Sequence, residues 1–188
     1  MPGLTEHLER YLGEIQEGWT RDVDGNNMPF QILRFGRGSG PGTLSFSTLG
    51  LSAYGLQSPT TGREIRHELL MIVPESFASG PVPGLLQQVG IEALTSGRAL
   101  LRGDVIGSRG PLVRGSAMEA LYVGMPVYLP DDFATYVSDD LSAVIAWLIP
   151  ISQHEASYVA REGWKSFENR LAVTDPNLTD INRLPLAL

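Results

Sequence analysis

Two neighbouring pairs, His67-Glu68 and His154-Glu155, set an imidazole beside a carboxylate, the combination a general acid–base catalyst uses. Two aspartate pairs, Asp131-Asp132 and Asp139-Asp140, offer oxygen ligands of the kind that hold a divalent cation. The segment Gly36 to Gly42 reads G-R-G-S-G-P-G and invites comparison with a phosphate-cradling loop. Each template fails on its spacing. Successive residues of a strand point to opposite faces, which separates His67 from Glu68. Glu155 stands three residues after Ser152, where it completes a capping box and is taken up by the helix start. The aspartate pairs lack the glycine-punctuated spacing of a calcium loop. In the glycine segment Pro41 holds the place of the third glycine, and a strand pattern follows, whereas an anion cradle opens a helix. No G-x-S-x-G nucleophile elbow occurs. The three histidines, His7, His67 and His154, include no pair four apart, and the absence of cysteine removes thiolate ligands and nucleophiles. The expectation is a chain that is not an enzyme and takes no metal, nucleotide or other cofactor. The competing expectation is an enzyme working through His67, Glu68, Asp104 or His154.

Asp104 stands apart because it interrupts the apolar series Leu100, Leu101, Val105 and Ile106 after Gly103. A carboxylate there turns to solvent or meets a backbone donor or a partner. The elements that would position these groups follow from periodicity. Leu4, Leu8, Tyr11, Leu12, Ile15 and Trp19 recur at helical spacing and predict an amphipathic first helix running to Gly18 and the Asp24 to Asn27 turn. Phe30 to Phe35 and Thr43 to Leu51 read as strands joined by the glycine segment. His67 to Val73 is apolar on both faces beyond its first two residues, which predicts a central strand stopped by Pro74. Leu85, Leu86, Val89, Ala93 and Leu94 predict a middle helix between Pro81 and Gly97, with Gly90 as its weak point. Leu100 to Ile106 and Ala120 to Leu129 are strand-like around a Gly/Arg-rich turn at Gly107 to Gly115, and Asp131 to Asp140 reads as an acidic excursion. Val144 to Ile151 predicts a second buried strand, with Trp147 inside. One helix carrying Ala156, Ala160, Trp164, Phe167 and Leu171 on a single face follows from the Ser152 cap. Nothing helical continues past Asp175.

With 188 residues, 43% hydrophobic and 19% charged, the chain can bury a sizeable core. Its 14 basic and 21 acidic side chains leave a formal net charge of −7, with the positive charges scattered. That balance disfavours a phosphate-tracking nucleic-acid binder and suits a basic protein partner. No apolar stretch approaches the ~20 residues of a membrane span, and Met1 to Arg10 carries Glu6, Glu9 and Arg10 with no apolar run. A soluble, cytoplasmic protein is expected, touching neither membrane nor nucleic acid.

The order of four segments is diagnostic: STLGLS at Ser47 to Ser52, RHELLMIVP at Arg66 to Pro74, LRGDVIG at Leu101 to Gly107, and the run from Val144 to Leu171. Together they resemble the suppressor of fused (SUFU-like) family over about Leu4 to Asp180. In that family a "GLS" strand leads to a glutamate-containing apolar strand, a helix and a "GD" strand. A buried strand then enters a helix, here through Glu155, Gly163 and Phe167. Gly107 and Ser108 stand where the family often has tryptophan. The resemblance implies an α+β fold, a single-domain α/β sandwich with a mixed, largely antiparallel sheet flanked by helices. It implies a SUFU-like domain over residues 1–174 and a C-terminal tail over 175–188. It further implies a non-enzymatic protein-binding domain, resembling bacterial stand-alone members that look like immunity proteins neutralising a cognate polymorphic toxin. A general regulatory or scaffold module is the alternative. The candidate partner-binding residues are Asp104, Asp131, Asp132 and Glu68, near expected strand ends where a sheet-edge peptide can add.

Overall fold

The computed structural model describes residues 3–108 and 110–188, so Met1, Pro2 and Arg109 of the Gly/Arg-rich turn lie outside the described residues. The chain folds as two compact units, Met1–Leu100 with Met125–Trp147, and Leu101–Gly124 with Leu148–Leu188. The first begins with helix α1 (Leu4–Leu12), which buries Leu8 and Leu12. The helix stops there because Gly13 turns out of helical geometry at φ +81°. Ile15 and Trp19, expected on the same helix, lie instead on strand β1 (Ile15–Arg21), which pairs antiparallel with β2 (Asn27–Phe35) through Ile15↔Phe35 and Trp19↔Ile32. Their spacing of four fits one helix face and one strand face equally well, and the pairing with β2 decides between them.

β2 pairs with β3 (Thr43–Leu49), and β3 with β6 (His67–Pro74), all antiparallel. The short strands β4 (Leu56–Gln57) and β5 (Glu64–Ile65) form a separate ribbon. β6 is central, as its two-sided apolar run requires, and on its other edge it runs parallel to β10 (Ser142–Ser152) through Val144↔His67 to Trp147↔Leu70. Helix α2 (Val82–Ser96) packs on β2, β3 and β6 with Val82, Leu86, Val89 and Ala93 buried. Trp147, Phe46, Phe35, Leu69 and Leu70 are sealed from solvent, each worth roughly 1.5–3 kcal/mol of burial. The acidic excursion contains a helical turn, Asp131–Phe133, and a strand, β9 (Thr135–Val137), antiparallel to the start of β10.

In the second unit β7 (Val105–Gly107) pairs antiparallel with β8 (Met118–Gly124). The strand expected from Leu100 starts only at Val105, and the one expected to reach Leu129 ends at Gly124. Ser152 ends β10 and caps α3 (Gln153–Glu162) in a complete capping box. The single helix expected after it is two, because Gly163 at φ +82° separates α3 from α4 (Trp164–Thr174). Residues 175–188 have no regular structure, yet bury Leu178, Ile181, Arg183 and Leu186. The fold class is α+β with a mixed, mostly antiparallel sheet. No helix among the described residues is long and apolar enough to cross a membrane.

Candidate functional site

Glu68 is fully buried, and its carboxylate gathers the Leu51–Ala53 turn. Oε1 accepts from the Gly50 N–H at 2.9 Å, the Ser52 N–H at 3.1 Å and the Ser52 hydroxyl at 2.7 Å. Oε2 accepts from the Thr48 hydroxyl at 2.6 Å and the Leu51 N–H at 3.3 Å. The G-L-S motif and the glutamate of the following strand are therefore one construction, in which three backbone donors that no helix or ladder uses are satisfied by one side chain. Arg66 braces the same turn from outside, donating to the Ser52 and Ala53 carbonyls at 3.1 and 2.8 Å and pairing with Glu64 at 2.8 Å. Glu68 thus meets no solvent and shapes the surface only through this turn.

His67 does not join it. The imidazole is 1% exposed, and neither ring nitrogen has a hydrogen-bond partner. Burial without a partner lowers its pKa from 6.5 to about 4, which keeps it neutral. His7 and His154 lie elsewhere: His7 Nε2 meets the Phe133 carbonyl at 3.0 Å, and His154 Nε2 the Leu188 carbonyl at 3.3 Å. Among the described residues no three histidine, aspartate or glutamate side chains gather where a metal ion would sit.

Asp104 is half-buried in the second unit and turns to backbone. Its Oδ2 accepts from the Leu101 N–H at 2.9 Å while its own N–H donates to the Leu101 carbonyl at 2.9 Å. The apolar series is interrupted because this turn launches β7. Arg102, within the turn, meets Glu168 of α4 through Nε at 2.9 Å and Nη2 at 2.5 Å, and lies 4.9 Å from the Trp164 ring centroid. Gly103 permits that approach, since a Cβ there would fall 2.6 Å from the indole. Tyr122 donates to the same Glu168 at 2.8 Å, and burial together with that bond raises its phenol pKa.

Asp131 and Asp132 are exposed on the turn that leads into β9. Asp132 Oδ2 accepts from the Tyr11 hydroxyl at 2.6 Å, which ties the turn to α1 and raises the tyrosine pKa. Beneath it His7 lies parallel to Phe133, ring centroids 5.7 Å apart, with Tyr11 and Tyr136 at 5.2 and 5.5 Å. Of the four residues singled out from sequence, Asp131 and Asp132 stand together on the surface, while Glu68 and Asp104 each organise a backbone turn. Sequence reasoning missed Arg183, whose guanidinium makes a buried two-pronged bond to Glu155, because nothing local links the two positions.

The family profile described as suppressor of fused protein (SUFU) matches residues 26–184. A SUFU homologue from Neisseria gonorrhoeae superposes with a TM-score of 0.69 at 18% identity, covering 96% of this chain and 92% of its own. A chain of the Sufu–Fu complex gives 0.72 at 16% identity, covering 97% and 90%. Drosophila Suppressor of Fused gives 0.72 at 13% identity, with 97% of this chain spanning half of that one. No curated protein matches the sequence. At these identities the structural likeness speaks for the fold, and the family profile, which covers most of the chain, speaks for ancestry: the chain belongs to the suppressor of fused (SUFU) family.

Proposed function

We propose that this protein is a non-enzymatic, cytoplasmic protein-binding domain, and specifically an immunity protein that holds and neutralises a cognate toxin domain. The observation that carries this reading is the exposed acidic turn at Asp131 and Asp132, set at the start of a short sheet-edge strand in a chain of net charge −7. Such a surface draws a basic partner and offers it main-chain hydrogen bonds. The solved Sufu–Fu complex supports protein binding as the general mode, and a toxin domain that acts on nucleic acid supplies the basic partner. Asp131 and Asp132 meet the partner directly. Glu68 and Asp104 contribute by holding the turns they organise.

The test is co-expression with the product of the neighbouring gene, expected to be a toxin domain, followed by purification of the pair. Restored growth and a stable complex are expected. A stable complex with a non-toxin protein, with no rescue, replaces the immunity reading with the regulatory or scaffold one. Turnover of a small molecule by the purified chain, with no protein complex, overturns both.

A further inference from the structure

We propose that the cleft between β1, β2 and the start of α2 is a saccharide site, and that its ligand is one or two neutral pyranose rings with equatorial hydroxyls. The cleft lies within the first unit and shares no residue with the acidic turn at Asp131 and Asp132.

Helix α2 packs on β2, β3 and β6, while β1 is the outermost strand, so the sheet face beyond the helix stays open. The cleft left there has a volume of about 440 Å³, within the roughly 300–1,000 Å³ of small-ligand sites. Trp19 and its cross-strand partner Ile32 line it, together with Met28. Trp19 is half-buried, and the fully buried Phe46 backs its indole with ring centroids 6.0 Å apart. A ring held in this way is a flat apolar platform. Equatorial hydroxyls leave the faces of a pyranose lined with C–H bonds, whose positive ends meet the negative face of an aromatic ring.

The polar rim calls for a neutral ligand. Glu17 Oε2 meets Arg34 at 2.9 Å, and Arg21 reaches the Gly25 carbonyl at 3.5 Å. Asp22 spends both oxygens on its own turn: Oδ1 accepts from the Asp24 and Asn26 N–H groups at 3.0 and 2.8 Å, and Oδ2 from Asn26 Nδ2 at 3.1 Å. Two carboxylates thus stand against two guanidiniums, a local balance in a chain of net charge −7. A charged ligand gains from one sign what it loses to the other and still gives up its hydration. The groups left over are the second Glu17 oxygen, the remaining Arg21 donors, the Ser79 hydroxyl and the Gln87 amide; the last two have no hydrogen bond among the described residues. Donors and acceptors mixed in this way suit hydroxyls, which do both.

Gly84 adds an independent observation. It is the third residue of α2 and lines the cleft, and a Cβ built on it would meet nothing within 4 Å. Neither close packing nor a left-handed turn asks for glycine there, and helices disfavour it. Its structural effect is to leave the cleft wall bare beside the indole platform.

The probe is cellobiose, titrated into the full chain while NMR reads the tryptophan indole N–H signals; cellopentaose, glucuronate, glucosamine and open-chain sorbitol run beside it. Saturable binding at about millimolar concentration that moves the Trp19 signal is expected, with sorbitol and the two charged sugars at least about tenfold weaker. Gly84→Leu fills the cleft and is expected to weaken cellobiose about tenfold, with the thermal midpoint unchanged or raised. Trp19→Phe keeps a ring against Phe46 but shrinks the platform, and is expected to weaken binding about threefold. Equal affinity for cellobiose and cellopentaose assigns a free saccharide as the ligand, and tighter binding of the pentamer assigns a polymer. Absence of saturable binding by either, or binding that leaves the Trp19 signal in place and is untouched by Gly84→Leu, overturns the proposal. A charged sugar that binds more tightly than cellobiose overturns it as well.

Discussion

Arg183 lays two guanidinium nitrogens on the two carboxylate oxygens of Glu155, at 2.7 and 3.0 Å, with Glu155 fully buried and Arg183 7% exposed. The same carboxylate accepts the Ser152 N–H at 2.7 Å as part of the α3 cap and the Leu186 N–H at 3.1 Å from the C-terminal segment. Arg183 also donates to the Pro150 carbonyl at 3.1 Å. One acidic side chain thus starts a helix and fastens residues 183–186, and the pair survives burial because nearly every lone pair and proton has a partner.

Arg183→Met is expected to cost about 3–5 kcal/mol in urea unfolding, since it leaves a carboxylate buried without its counter-charge. Adding Glu155→Gln is expected to recover part of that loss. Equal loss from the two single variants and the double would show that packing, and not charge, sets the cost.

Ser152→Ala removes the hydroxyl that accepts the Glu155 N–H at 3.2 Å and is expected to cost about 1 kcal/mol. An effect below a few tenths would mean that the cap contributes nothing beyond the Arg183 bond.

Glu68→Ala strips the acceptor from the Gly50, Leu51 and Ser52 amides. Unfolding measurements are expected to show a loss of about 3 kcal/mol, with faster hydrogen exchange confined first to the Leu51–Ala53 turn. Unchanged exchange in that turn would remove Glu68 from its organising role.

His67 sets a pH dependence. Its folded pKa of about 4 lies below the ordinary 6.5, so between these values the unfolded chain binds a proton that the folded chain refuses. Stability from this group is complete above pH 6.5, falls as the pH drops toward 4, and levels off below, for a total of at most about 3 kcal/mol. His67→Leu is expected to flatten the stability profile in that window. A profile that keeps its slope in the variant would assign the acid sensitivity to other groups.

What was legible in the sequence was local. The Ser152–Glu155 box lies within four residues, and the two-sided apolar run from His67 reads directly as a central strand. The expectations failed where one pattern served two geometries. Ile15 and Trp19 fit a helix face until Gly13 and the pairing with β2 intervene, and Ala156 to Leu171 holds one apolar stripe across the break at Gly163. β9 was hidden because three residues inside an acidic segment show no period, and it becomes a strand only through pairing with β10. Asp104 drew attention as a polar intrusion in an apolar run, and Glu68 as the carboxylate beside His67 at the head of one. Their acceptance of backbone donors depends on contacts that spacing does not encode, and in that they resemble the Arg183–Glu155 pair.

We propose that this acidic domain steers a basic protein partner onto the surface around Asp131 and Asp132. Stopped-flow association of the co-purified partner, at low and at physiological salt, tests it most directly in wild type and in Asp131→Lys with Asp132→Lys. The association rate is expected to fall with salt in wild type, and in the variant to be about tenfold slower and nearly independent of salt, with dissociation little changed. Identical association kinetics and salt dependence in the two proteins would contradict it.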